Sequence, residues 1–221
     1  MVWGEYGNWG MDYSNAEALP DMLMEWLEIL NRDYNHPSII CWCPFNETWD
    51  YAGRRQNSSL IQAVYRATKQ ADYNRPCVDA SGNYHVQTDI FDVHDYEQNA
   101  DIFKERYDRL FKTGELFDKY ADRQPYRGEL VLMSEYGGTT LHPKADAWGY
   151  GQPAEDEAQF LKRYEGLTSA LLDNPKMMGF CYTQLYDIEQ EQNGLYNYER
   201  APKTDISAIK RINTRKAAIE D

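Results

Sequence analysis

The stretch Asn35-His36-Pro37-Ser38-Ile39-Ile40-Cys41-Trp42-Cys43-Pro44-Phe45-Asn46-Glu47 decides how the rest of the chain is read. A helix before it must stop at Asn35-His36-Pro37, because proline disfavours the α region in the residue preceding it. The β-branched and aromatic run between Pro37 and Pro44 suits a strand buried on both faces. Such a strand delivers Asn46 and Glu47 to its C-terminal end, where parallel α/β folds bind ligands and place catalytic groups. An amide and a carboxylate side by side there form a candidate acid with its positioning partner. Asn-Glu alone would more often be a polar turn after a buried strand. A second glutamate, in Ser134-Glu135-Tyr136-Gly137-Gly138 at the end of another strand pattern, tips the balance toward chemistry.

Outward from this strand the pattern alternates. Met1 to Glu5 reads as a strand end, followed by a Gly- and aromatic-rich loop over Tyr6 to Tyr13. Ser14-Asn15-Ala16-Glu17 has the form of a capping box. Leu19, Met22, Leu23, Trp26, Leu27 and Leu30 then recur at helical spacing, so that face packs on a sheet. After the strand and a polar loop through Arg55, a helix is expected over 57–73, a short strand over 77–80 and another over 89–93. The loop between those strands is too short for a crossover helix. A charged amphipathic helix is expected over 100–120, a strand ending at Ser134-Glu135, a helix over 155–172, a strand over 178–183 and a last helix from about Thr204. No internal repeat or low-complexity linker interrupts the order. Strand–helix alternation predicts a parallel sheet. Six strands fall short of the eight of a (β/α)8 barrel and also suit an open doubly wound sheet. No Gly-rich phosphate loop opens any helix.

The chain has 221 residues, 42% of them hydrophobic, enough for a real core. Neither a run of about 18 apolar residues nor a signal peptide is present, so no membrane partner is expected. The net charge of -13 would repel phosphates, which excludes nucleic acid and favours a neutral substrate. Aromatics reach 14%, with 18 Tyr and 6 Trp, a richness that suits stacking on sugar faces and equally a well-packed core. Cys41, Cys43, Cys77 and Cys181 fall in or beside expected strands. Cys41 and Cys43 share a strand face about 6.6 Å apart, poorly placed for a disulfide. Four buried free thiols are expected, which points to a reducing, cytoplasmic compartment. His36, His85, His94 and His142 show no i, i+4 spacing, and no Cys/His cluster has zinc-site spacing, so no metal and no cofactor are expected.

Asn35-His36-Pro37-Ser38-Ile39-Ile40, Trp42 and Asn46-Glu47 resemble the signature of glycoside hydrolase family 2, the β-galactosidase, β-glucuronidase and β-mannosidase family. Ser134-Glu135-Tyr136-Gly137 resembles that family's second glutamate segment. Tyr182-Thr183-Gln184-Leu185, Asn193-Gly194-Leu195-Tyr196 and Arg200-Ala201-Pro202-Lys203 resemble the close of its barrel. The resemblance implies a TIM barrel, with Glu47 ending strand 4 and Glu135 ending strand 7. The chain then carries strands 3 to 8 as a single partial catalytic domain. An incomplete ring leaves unpaired strand edges, so homo-oligomerisation through them, and low activity of this piece alone, are expected.

The resemblance further implies a retaining double displacement, with Glu47 as general acid/base and Glu135 as nucleophile. That chemistry needs carboxyl groups about 5 to 5.5 Å apart and opposite proton affinities in the two residues. The sequence separation, 135 − 47 = 88 residues, leaves the approach entirely to the fold. Asn46 would bond the sugar 2-hydroxyl and Tyr96 the nucleophile. His94, Trp3, Glu5 and Trp148 are candidate sugar contacts, while Trp9, Trp49 and Asn83 read as loop residues. Two departures stand out. Many members place a tryptophan platform near the end of the last strand, where this chain has Phe180-Cys181-Tyr182-Thr183-Gln184, so Tyr182 is the candidate substitute. Glucuronidases carry an Asn-Arg-Lys-Gly segment where this chain has Glu191-Gln192-Asn193-Gly194, which disfavours an anionic sugar. A neutral β-glycoside, galactoside first, is the expected carbohydrate partner. Glucuronidase or mannosidase specificity, a catalytically silent carbohydrate-binding piece and a metal-dependent hydrolase are the other readings.

Overall fold

The computed structural model describes residues 1–50 and 52–221; Tyr51, in the loop expected after the first buried strand, lies outside them. The elements run β1 (Val2–Glu5), α1 (Leu19–Asp33), β2 (Ile39–Cys43), α2 (Ser58–Ala71), β3 (Ile90–Asp95), α3 (Ala100–Lys112), β4 (Leu130–Gly137), α4 (Glu157–Leu172), β5 (Met177–Thr183) and α5 (Ile206–Asn213). They fall into two compact units, Met1–Val93 with Asp118–Leu130, and His94–Phe117 with Val131–Asp221.

In the first unit β1 lies parallel to β2, with Trp3 beside Cys41, Gly4 beside Trp42 and Glu5 beside Cys43. A Cβ on Gly4 would come within 2.7 Å of the Trp42 ring, so the strand passes directly over the indole. Trp42 in turn meets Trp26 of α1 edge-on at 6.0 Å. Met22, Trp26 and Leu30, four residues apart, form the buried stripe of α1. Leu60, Ile61 and Val64 of α2 complete the cluster with Phe45. The Trp26 indole N–H donates to Thr68 Oγ1 at 2.7 Å, so the ring is buried without an orphaned donor.

The strand expected over 77–80 is present as bridges Trp42↔Cys77 and Asn46↔Ser81 rather than as a continuous ladder. Trp42 donates to Pro76 O, Val78 to Trp42 O, and Ser81 to Phe45 O. Pro44 sits between these bonds and has no N–H to give, which breaks the ladder while keeping its register. Ile40 departs from the doubly buried expectation, at 44% exposed. The capping box also moves. Asn15, not Ser14, accepts the Glu17 N–H and opens a 3-10 turn over Ala16–Ala18, and α1 starts only at Leu19 with proline in its first turn.

In the second unit β4 and β5 pair in parallel. Helix α4 covers β4 through Tyr136, whose hydroxyl meets Thr168 Oγ1 at 2.8 Å. Leu141, Phe160, Tyr164, Leu195 and Ile209 make the apolar cluster. Helix α3 is shorter than expected, ending at Lys112 with cap Thr113, because Gly114 follows with φ +80 and turns the chain out of the helix. Cys181 corrects the expectation of four buried thiols: Cys41, Cys43 and Cys77 are buried, whereas Cys181 on β5 is exposed. Strand β5 has a single strand partner among the described residues, and its Cys181 side is uncovered.

Candidate active site

Each unit holds one of the two motif glutamates at the C-terminal end of its own strands. In the first, Asn46 is fixed by Asn8, a buried residue of the loop after β1. Asn8 Oδ1 accepts the Asn46 N–H at 2.7 Å and Asn8 Nδ2 donates to Asn46 O at 2.9 Å. Both backbone groups of Asn46 are thereby committed. Its side-chain Oδ1 is buried and has no hydrogen-bond partner among the described residues, the kind of exception that marks a ligand site in a folded protein.

Glu47 follows with φ +49, a left-handed conformation that costs a side-chain-bearing residue and recurs at functional positions. Its N–H donates to Ser81 O at 2.9 Å and its carbonyl accepts Trp49 N–H at 2.8 Å. The half-exposed carboxylate accepts from Trp49 Nε1 at 3.3 Å. Trp3 and Glu5 lie on the β1 face opposite Gly4, Trp3 half-buried and Glu5 exposed.

A charged network stands beneath this end of the unit. His85 is buried, with Nδ1 at 2.8 Å from Asp79 Oδ1 and Nε2 at 3.2 Å from Asp92 Oδ1. Burial opposes the imidazolium, but hydrogen bonds and charge from both aspartates outweigh it and raise the His85 pKa well above its ordinary value. Asp79 Oδ2 also accepts Val86 N–H at 2.6 Å and Gln87 N–H at 2.8 Å, and Asp92 Oδ2 accepts Ser81 Oγ at 2.6 Å. The network holds the loop whose Ser81 and Asn83 carbonyls receive the Glu47 and Thr48 N–H groups.

In the second unit, alternation along β3 sorts three consecutive residues. Asp95 turns toward α3, where Arg106 Nη1 and the Tyr107 hydroxyl bind it at 2.9 to 3.1 Å. His94 and Tyr96, one residue to either side, take the other face. There the Tyr96 hydroxyl donates to Glu135 Oε2, and His94 Nδ1 lies 3.4 Å from the same oxygen. The His94 side chain is only 6% exposed. Burial first, then the Glu135 charge and hydrogen bond, push the Tyr96 phenol far above its ordinary pKa. Tyr96 is therefore a permanent donor.

Behind Tyr96 the Tyr150 ring stacks at 3.4 Å between centroids and 5° between planes, and Trp148 meets Tyr150 edge-on at 6.0 Å. Gly138 makes this stack possible: with φ +64, a Cβ there would sit 2.4 Å from Tyr150 and 3.2 Å from Tyr96. Gln98 bolts the strand ends, donating to Tyr96 O at 3.0 Å and Gly137 O at 2.6 Å while accepting Thr139 Oγ1 at 2.6 Å.

The fold thus brings Asn46 together with Glu47, and His94 and Tyr96 together with Glu135, with Trp148 reached through Tyr150. Tyr182 is placed elsewhere. Its ring packs under Gly137 and against Tyr136 and Tyr164, at 5.5 and 4.9 Å, on the helix side of the sheet. It is half-buried and packs against the apolar cluster of this unit. Asn8, Gln98 and Tyr150 escaped the sequence reading. Only Tyr150 left a trace there, in Trp148-Gly149-Tyr150-Gly151, where flanking glycines permit a close ring approach.

Residues 3–217 match the domain described as glycosyl hydrolases family 2, TIM barrel domain, and the chain belongs to that family. Its parallel strands and intervening helices form part of an α/β barrel. Among relatives, it is 29% identical over 202 residues to β-galactosidase BgaC of Bifidobacterium adolescentis, covering 83% of this chain and 17% of that protein. Among solved structures it resembles a β-galacturonidase from Eisenbergiella tayi bound to glycerol, with TM-score 0.70, 16% identity, and 98% of this chain on 41% of that one. It also resembles a Bifidobacterium dentium β-glucuronidase complexed with coumarin-3-O-glucuronide, with TM-score 0.67, 15% identity, and 96% of this chain on 36% of that one. At such identities the structural likeness speaks for the fold alone. The chain spans less than half the length of each of these relatives.

Proposed function

We propose that the protein is a retaining glycoside hydrolase that cleaves terminal neutral β-glycosides, β-galactosides first, through Glu47 and Glu135. The observation that carries this reading is the setting of Glu135, a carboxylate that receives the Tyr96 phenol with the His94 imidazole beside the same oxygen. Donors aimed at a carboxylate favour its ionised, nucleophilic form. Glu135 then attacks the anomeric carbon to form the glycosyl–enzyme ester as Glu47 gives its proton to the departing oxygen. Glu47 next takes a proton from water, which displaces Glu135 and releases the sugar with its configuration retained. Asn46 addresses the 2-hydroxyl, a role that its unpartnered Oδ1 and clamped backbone suit. Trp148, Trp3 and Glu5 are the proposed walls for the sugar.

The neutral sugar is supported by the loop after β5. Its lysine, Lys203, is held by Asp187 Oδ1 at 2.8 Å and Gln192 O at 3.0 Å, with little exposure, so it does not offer a cation to a substrate carboxylate. The β-galactosidase name of the sequence relative points the same way.

Azide tests both roles. Glu135→Ala should abolish hydrolysis of nitrophenyl β-galactoside, and azide should restore turnover with the glycosyl azide of inverted configuration. Glu47→Ala with azide should give the retained β-azide. A retained product from the Glu135 variant would remove it as nucleophile.

A further inference from the structure

Trp49 follows Glu47 by two residues and is 40% exposed. Its ring does not lie loose. It meets Tyr84 edge-on at 6.3 Å and Tyr120 at 5.8 Å, and those two rings meet each other at 5.1 Å. Arg123 backs the group, its guanidinium 3.5 Å above the Tyr84 ring, and it is tied in turn to both carboxylate oxygens of Asp50 at 2.9 and 3.0 Å. Every member belongs to the first unit, and the indole N–H touches the Glu47 carboxylate at 3.3 Å.

The rings surpass what core packing needs, because Trp49 leaves much of its surface to solvent while its position is fixed on three sides. What stands beside a general acid, away from the sugar it releases, is the leaving group. We propose that Trp49 and Tyr120 form the platform for the leaving group of the substrate and select aglycones that present a flat apolar face. This inference rests on the role of Glu47 given above. Two sources share that chemistry, an aryl ring and the apolar face of a second sugar.

The test compares three β-galactosides in the wild type, Trp49→Ala and Trp49→Phe: nitrophenyl galactoside, lactose and galactosyl fluoride. Fluoride has no ring to stack and needs little acid assistance. For Trp49→Ala, kcat/KM on nitrophenyl galactoside should fall roughly five- to tenfold relative to that on the fluoride, and Trp49→Phe should restore most of the ratio. A parallel fall for lactose identifies a sugar face as well, and a fall for lactose alone assigns the platform to a second sugar. Unchanged ratios for both substrates would overturn the platform.

A second measurement is independent of turnover. Kd for phenyl and methyl 1-thio-β-galactosides should favour phenyl in the wild type and lose that preference in Trp49→Ala. No preference in the wild type would overturn the inference. Wild-type-like hydrolysis of lactose by Glu47→Ala with the preference intact would instead overturn the role of Glu47 and leave the platform standing.

Discussion

Tyr96 shows how much of the proposed chemistry depends on one hydroxyl. Stacked on Tyr150 and donating to Glu135, it has no freedom to turn away. Its raised pKa keeps the phenol protonated throughout the working range, so it sets no alkaline limb in the rate profile. Removal of the hydroxyl deletes a charge-assisted bond, worth about 1.5 to 3 kcal/mol. Tyr96→Phe should therefore lower kcat on nitrophenyl β-galactoside roughly ten- to hundredfold with little change in KM. A kcat within about twofold of wild type would mean that Tyr96 only packs. In the sequence the residue stood out only through the family resemblance, and it is the folded strand end Val93-His94-Asp95-Tyr96 whose alternation separates the anchored Asp95 from its neighbours. Tyr150, the ring that holds it, was not legible there, since the two positions stand 54 residues apart, 150 − 96.

At the scale of elements, the segment Cys77–Gln87 does what a regular strand and helix do elsewhere. It continues the sheet by bridges across the Pro44 interruption and then turns back on the His85 network. An imidazolium between two buried carboxylates is a costly arrangement to break from one side, at about 3–5 kcal/mol. His85→Gln should destabilise the fold by that order at pH 6 in urea unfolding. The sign of the pH dependence follows from the raised folded-state pKa. The stabilisation is fully present below the unfolded value of about 6.5 and is lost as pH rises through the folded value. The gap between wild type and variant should thus narrow with increasing pH above neutrality. A gap that widened with pH would show that His85 is neutral in the fold.

For the molecule as a whole, the thiols report on which faces are closed. Burial pushes Cys41 up to about 12 and raises Cys43 and Cys77 well above the usual thiol range, so all three resist ionisation as well as contact. Cys181 is exposed on β5, which has only β4 as a strand partner among the described residues. At pH 8, one of the four thiols should react promptly with a disulfide reagent, and the other three only in denaturant. Prompt reaction of more would show that the interior of the first unit opens. Protection of all four, together with a solution mass above that of one chain, would show association over the β5 edge, as unpaired strands invite.

The order of strands and helices, the two glutamate motifs and the family were legible in the sequence. These depend on local signals, such as apolar periodicity, proline and glycine punctuation, and short runs that deliver a residue to a strand end. Asn57, Asn99, Asp156 and Asp205 each cap a helix near its expected start for that reason. The tertiary structure alone decided which groups surround each glutamate. It set Tyr182 against Tyr136 and Tyr164, set Tyr150 on Tyr96, clamped Asn46 with Asn8, ended α3 ahead of Gly114 and left Cys181 bare. Local pattern says which face of a strand or helix is apolar. The direction in which a polar or aromatic side chain in a loop finds its partner is set by packing between segments dozens of residues apart, where no periodicity reaches.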